Sequence, residues 1–257
     1  MLELFFAELR RSWIQFIRYP FEAIGGIFIT TIIFYGLFLS AQYVAGPNLQ
    51  LGDRFDSIIV GYVLWTLVLF IATNLSSVLQ LEAQTGTLEQ IFLSPFGAVW
   101  ILLMRAIAGL AIQLALIAAI LAILIALTGS KIAFPPLLVL PLLTIIMSAY
   151  GLSFLMGALA LLLKRVQQVL AIFQFGLLFV LATPTEEWVG VWQGIRWLIP
   201  MTGGAGLLRD LMAREKGLNW LEFGLAFANG FIFLAVGLIV FMWCEQRVKK
   251  QGKLGGY

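Results

Sequence analysis

The chain has 257 residues, 61% of them hydrophobic and 11% charged, with a formal net charge of +3. A soluble domain is about one-quarter charged, so an ordinary soluble fold is excluded, and the long apolar runs suit helices that cross a bilayer in roughly 20 residues. Period-two alternation is missing, which argues against a β-barrel. Absent histidine and a single cysteine, Cys244, leave no usual metal ligand set, proton shuttle or intrachain disulfide. No basic face is large enough for nucleic acid, whereas a modest positive charge suits anionic lipid.

Residues 1–20 place Leu2, Phe5, Phe6, Leu9, Trp13, Phe16 and Ile17 at three- and four-residue spacing, with Glu3, Glu8, Arg10, Ser12, Gln15 and Arg18 between them. That spacing predicts an amphipathic helix lying in the membrane interface, with Trp13, Phe16 and Arg18 as its marker residues and Pro20 as its stop. A cleaved signal peptide is the alternative, but a basic start followed by a short apolar core is missing.

Six spans follow, at 23–44, 57–79, 100–128, 137–163, 169–183 and 221–244. Gly46-Pro47-Asn48, Asp53-Arg54, Gly129-Ser130-Lys131 and Pro135-Pro136 mark loops. The expected fold is an all-α integral membrane protein in one domain over 1–257. Basic residues Arg10, Arg11, Arg18, Lys164, Arg165, Arg247, Lys249, Lys250 and Lys253 fall on one side of six spans. The positive-inside rule then places both termini and the loop at 80–99 in the cytoplasm, as a multi-pass protein of a cell membrane.

The segment 182–220 is not an ordinary loop. An apolar, aromatic stretch at 188–199 is too short to span, Pro200 breaks it, and Gly203-Gly204-Ala205-Gly206 leads into 207–212. Two short helices that dip in and return would fit, provided protein or a water-filled cavity surrounds the irregular backbone. Helices lying flat on the outer surface are the alternative. Trp188, Trp192, Trp197 and Trp220 suit an interfacial belt in either case.

No G-x-x-x-x-G-K-[ST] occurs, so the chain cannot be its own P-loop ATPase, and no histidine-dependent triad is possible. Glu186-Glu187 reads as a solvated pair. The spans are nearly free of charge; Glu22 and Arg105 lie near span ends, where snorkelling or local pairing suffices. Missing intramembrane acids argue against proton coupling. Phe28, Tyr35, Phe38, Trp65, Phe70, Phe173 and Phe179 offer an aromatic, weakly polar lining that suits an amphiphile better than an ion. Ordinary packing is the alternative for each. Ala111, Ala115 and Ala119, and Ala118, Ala122 and Ala126, make small faces that allow close helix approach.

Glu82 to Pro95, EAQTGTLEQIFLSP, is more than a turn. Thr85 or Thr87 could cap a helix start. Leu88, Ile91 and Phe92 share one face, Glu82 and Glu89 add negative charge, and Pro95 ends the element. Both a cytosolic docking surface and an extension of the second span that packs on its neighbours fit this pattern.

At these residues the sequence resembles the permease subunits of ABC-2 type exporters over nearly its whole length. The family pattern of an acid, then G-T-L-E, then S-P appears as Glu82, Gly86-Thr87-Leu88-Glu89 and Ser94-Pro95. A second signature, a Pro followed by Leu-Arg, appears as Pro200 and Leu208-Arg209. Departures are Ala83-Gln84, where a charged pair is common, and Ile199, where Asn often precedes the Pro. The resemblance implies an interfacial N-terminal helix, six spans, a cytoplasmic coupling helix at 80–99 and re-entrant helices before the last span. It also implies a half-transporter without catalytic residues, paired with an identical or paralogous permease and exporting an amphiphilic substrate such as a lipid, a drug-like molecule or a glycolipid. A cytosolic ABC ATPase subunit would bind ATP and Mg, leaving this chain with no cofactor. Glu82, Gly86, Thr87, Leu88, Glu89, Ile91, Phe92, Ser94 and Pro95 would couple to it, and Pro200 and Arg209 would belong to the re-entrant segment. A membrane-embedded lipid transferase would need a surface cluster of acids, and none is visible. A secondary carrier would need intramembrane charge or inverted halves. A scaffold without transport activity is the remaining alternative.

Overall fold

A computed structural model describes residues 2–45, 52–94, 97–163 and 167–250. Pro95, Lys164, Arg165, the loop around Pro47 and the tail from 251 lie outside the described residues. Among those described, every regular element is helical.

Helix α1 covers Leu2–Arg18 and α2 begins at Pro20. Proline fits the first helical position because its missing N–H has no partner there anyway. It therefore starts α2 as well as limiting α1. Helix α2 runs Pro20–Ala45, and α3 runs Gly52–Gln84. At about 1.5 Å per residue, α3 is about 50 Å long, more than a hydrocarbon core requires. It passes the expected end at 79 because Gln80, Glu82, Ala83 and Gln84 are all compatible with helix. Gly86 stops it, at φ +73°, a conformation open to glycine and costly for most other residues. Helix α4 then spans Leu88–Leu93, and α5 spans Ala98–Thr128.

Helix α6 covers Val139–Leu163, entered through a 3-10 turn at Pro136–Leu138, and α7 covers Gln167–Ala182. Two short pieces follow: α8 at Val191–Ile195, continued by a 3-10 turn at Arg196–Leu198, and α9 at Thr202–Met212. Helix α10, Trp220–Lys250, closes the described chain. Four helical segments are long and apolar enough to cross a membrane: Phe55–Gln84, Ala98–Thr128, Pro136–Leu163 and Trp220–Lys250. Ile24–Ser40 in α2 and Gln168–Ala182 in α7 are shorter apolar helices. The four long segments overlap the expected spans at 57–79, 100–128, 137–163 and 221–244, and the two shorter helices overlap those expected at 23–44 and 169–183.

The contacts fix relative directions. Thr144 and Gly151 of α6 meet Gly230 and Gly237 of α10 in the same order, so these two helices run parallel. A Cβ on Gly151 or Gly237 would drive into the backbone of the opposite helix, so bare glycine is what permits the approach. The small faces expected to pack lie elsewhere: Ala111, Ala115, Ala118, Ala122 and Ala126 of α5 are exposed. Gly61 near the start of α3 faces Leu181 at the end of α7, while Leu170 near the start of α7 packs with Met156 and Ala160 late in α6. Helix α7 thus runs against α3 and α6.

Two apolar cores result. One extends from the middle of the molecule to the end that holds α8 and α9, and includes Ile59, Val63, Leu67, Ile71, Leu124, Ile145, Leu181 and Leu208. The other sits at the opposite end, where Leu75, Leu79, Leu102, Phe154, Leu161 and Phe241 enclose the inner face of α4.

Candidate functional site

Helix α4 has two unlike faces. Leu88, Ile91 and Phe92 are buried in the second core, while Glu89, Gln90 and Leu93 are exposed, Leu93 to 83%. The three-residue apolar set predicted from spacing is therefore an inward face that holds α4 to α3, α5 and α10. The Lys249 ammonium of α10 adds to this, 5.3 Å above the Phe92 ring. Thr87 precedes the helix but makes no side-chain cap. Its hydroxyl instead donates to the Glu82 carboxylate and lies 2.8 Å from the Thr85 hydroxyl. Ser94 closes α4, its N–H donating to the Ile91 carbonyl. Gly86 supplies the bend before it.

Glu82 also meets Arg105. The guanidinium Nη1 of Arg105, on α5, donates to Glu82 Oε1 at 2.6 Å, and its Nε faces Glu8 of α1 at 3.4 Å. Arg105 thus pairs across three helices, which goes beyond local snorkelling. The pairing explains why Glu8 is buried although it lies on an amphipathic helix. It turns Glu8 alone toward the protein, and leaves Glu3, Arg10, Arg11 and Arg18 exposed together with Phe6, Trp13, Ile14 and Ile17. Trp13 stacks on Phe16 at 5.8 Å, and Arg18 is exposed. The sequence signal that could have found this triad is an arginine set seven residues into an apolar run, where an uncompensated charge is expensive.

Beside the triad opens a groove of about 770 Å³ framed by α1, α2, α3, α5 and α7. Trp65 and Phe70 of the predicted aromatic set line it. Phe38 packs on Phe55 at 4.5 Å, Tyr35 lies 5.9 Å from Phe38, and Phe173 packs against the core. Phe28 and Phe179 are exposed on the outside. The set is divided among groove, core and surface because an aromatic residue in an apolar run carries no signal of which side it faces.

The other end is built around Arg209. Helix α9 is buried along nearly its whole length, which excludes a free surface helix. Arg209 is 1% exposed, and its guanidinium meets both Glu186 oxygens at 2.8 and 2.7 Å. It also donates to the carbonyls of Leu181 and Thr183 at 2.8 and 3.2 Å. These carbonyls end α7, where a cation favours the helix dipole. Glu186 is thus a buried partner, correcting the solvated reading. Glu187 is exposed and pairs with Arg214, which also reaches Glu186 at 3.3 Å and Asp210 at 2.9 Å. Burial opposes the Arg214 charge, but Asp210, Glu186 and Glu187 outweigh it and raise its pKa. Pro200 lies half-buried before Met201, which adopts φ +68° at the entry to α9.

Among the described residues no group of His, Cys, Asp or Glu could hold a metal ion. No curated protein matches the chain. The family model for ABC-2 type transporters matches residues 3–213, which takes in α1 through α9 and both ionic clusters. The chain belongs to the ABC-2 type transporter family and is a transmembrane permease component, a class that works with an ATPase partner and is not itself catalytic.

Proposed function

We propose that this chain is the permease subunit of an ATP-driven exporter that moves an amphiphilic substrate out of the cytoplasm or inner leaflet. A separate cytosolic subunit binds ATP and Mg and hydrolyses the nucleotide. The observation that carries this reading is the two-faced α4. Its inner face is fixed in the core of the spans, and its outer face of Glu89, Gln90 and Leu93 is open. A protein pressing on the outer face would move α3, α5 and α10 with it, because a packed core transmits displacement and does not absorb it. Arg105 extends the linkage from Glu82 to α1.

Six crossings fit the parallel course of α6 and α10, which needs a return through α7 between them. Arg10, Arg11, Arg18, Arg247, Lys249 and Lys250 then gather at the α4 end, making it cytoplasmic by the positive-inside rule. In this reading α8 and α9 form the re-entrant segment at the outer side, with Pro200 at its turn and Arg209 at its anchor. The lack of charge along the exposed faces suits a second permease copy or paralogue packed in lipid.

The test is gentle affinity purification from the native membrane with quantification of co-purifying proteins. A P-loop ATPase at near-equal amount, lost in Glu89→Lys or Leu93→Asp but retained in Gln168→Ala, is the expected result. Recovery of the chain alone under conditions that preserve other membrane complexes overturns the reading.

A further inference from the structure

Charge is arranged differently at the two ends of the helices. At the α9 end the cations of the ionic cluster have acids: Arg196 meets Glu222 at 2.6 Å, Arg209 meets Glu186 at 2.7 Å, and Lys216 meets Asp210 at 3.2 Å. At the α4 end the acids are drawn inward. Glu8 and Glu82 turn onto Arg105, and the buried Glu245 pairs with Lys249 at 2.7 Å. Arg10, Arg18, Arg247 and Lys250 stay exposed, and none of these four has an ion-pair partner among the described residues. Helix α1 shows the consequence most directly. Its sequence sets Arg10, Arg11 and Arg18 against Glu3 and Glu8. With Glu8 buried, the exposed surface keeps all three arginines and Glu3 alone. Arg11 remains 3.9 Å from Glu8, so Arg10 and Arg18 are the unpaired cations. They flank Ile14 in an i, i+4, i+8 row about 12 Å long. Ile14 is 50% exposed, and Trp13 and Ile17 beside it are exposed as well.

We infer that α1 is a contact for anionic phospholipid, in which Arg10 and Arg18 each hold a lipid phosphate on either side of Ile14. The lipid is a fixed neighbour of the helix and not a molecule in transit. Cations set among exposed aromatic and aliphatic side chains fit a bilayer surface: the apolar groups enter the acyl boundary while the guanidinium groups stay level with the headgroups. A water-facing protein partner would leave Trp13, Ile14 and Ile17 without hydrocarbon. Arginine suits the role because its planar fork matches phosphate oxygens in pairs. A zwitterionic headgroup carries its own cation, so unpaired arginines favour a headgroup with net negative charge. The inference goes beyond the exporter reading and does not depend on it; it uses only the charges of α1 and its exposed apolar side chains.

The experiment uses the full chain in phosphatidylcholine nanodiscs, carrying Cys244→Ala and Ile14→Cys so that a bimane fluorophore sits on the thiol between the two arginines. Phosphatidylglycerol or phosphatidylcholine with a nitroxide on its acyl chain is titrated in, and quenching of the bimane is read. A basic residue near an anionic surface gives a several-fold preference, so half-maximal quenching is expected at about fivefold lower mole fraction of phosphatidylglycerol. That preference should fade at about 1 M salt, where screening acts within roughly 3 Å. Arg10→Gln combined with Arg18→Gln should abolish it and leave quenching by phosphatidylcholine unchanged, because the apolar side chains still hold α1 on the bilayer. Lys131→Gln, an exposed cation beside the α9 end, should keep it. Equal quenching by the two lipids in the parent, a preference that survives in the double variant, or loss of quenching by both lipids overturns the inference. Equal quenching together with loss of a co-purifying ATPase in the double variant assigns the arginines to an acidic protein surface and likewise overturns it.

Discussion

Arg105 and Glu82 meet at 2.6 Å near the end of α3, four residues before Gly86 and the bend that sets α4. The same guanidinium faces Glu8, so one side chain ties α1, α3 and α5 to a single point. Their side chains are only 11–17% exposed, so each charge depends on the others for its solvation.

Arg105→Met should therefore destabilise the protein by about 3 kcal/mol, because it leaves Glu82 with no cation and Glu8 with only Arg11 at 3.9 Å in a part-buried site. The triple variant with Glu8→Gln and Glu82→Gln should recover most of that loss. Thermal melting in detergent checks this. Equal melting of the single and triple variants would mean the ion pairs do not carry the contact.

The faces of α4 should respond differently. Leu88→Ala removes a buried side chain and should cost about 2–5 kcal/mol of stability. Glu89→Lys should leave melting within about 0.5 kcal/mol of the parent, as an exposed substitution does, yet uncouple ATP hydrolysis from transport. Unchanged transport in Glu89→Lys would remove that residue from the mechanism.

Arg209→Lys should not be conservative. A guanidinium serves both Glu186 oxygens and two carbonyls at once, and an ammonium on a flexible stem cannot reproduce that fork. A loss of about 2–4 kcal/mol in melting is expected. Arg209→Met combined with Glu186→Leu should be better tolerated than Arg209→Met alone. The reverse order would show that Glu186 has a second role.

Gly237→Leu should prevent α6 and α10 from closing, because the added carbon has backbone opposite it and no movable side chain. Accumulation in the membrane should fall several-fold, as the cost of overpacking exceeds about 3 kcal/mol when backbone must shift. Gly224→Leu, with open space around it, should accumulate normally and serves as the control.

Trp13→Glu places a charge on the exposed apolar side of α1, stacked beside Phe16. Inserting an acid where an indole met lipid should cost about 2 kcal/mol of membrane docking. The Glu8–Arg105 contact should still hold the helix to the bundle, so assembly should persist while activity falls. Normal activity would mean that this face does not lie in the interface.

The long apolar helices could be read approximately because hydropathy and helical period are local properties of the chain, whereas the ends of α3 and the start of α9 differ from the expected bounds. Pro20, Gly86 and Gly129 marked boundaries through their own backbone limits. The apolar set Leu88, Ile91 and Phe92 could be seen as one face, but spacing does not say what covers that face. The same gap separated Trp65, in the groove, from Phe179, on the outside. Each is an aromatic residue in an apolar run, and only neighbouring helices distinguish them.

The sequence by itself determined that this is a helical membrane protein with an amphipathic start and a short built element after the second long helix. Chain length, apolar runs and the placement of glycine, proline and charge suffice for that. Tertiary structure alone decided that Glu8, Glu82 and Arg105 form one cluster, that Glu186 is buried on Arg209, and that α4 turns its apolar face inward. The members of these clusters stand 23 or more residues apart in sequence. A charge in an apolar setting requires a partner, but which partner depends on how the helices cross.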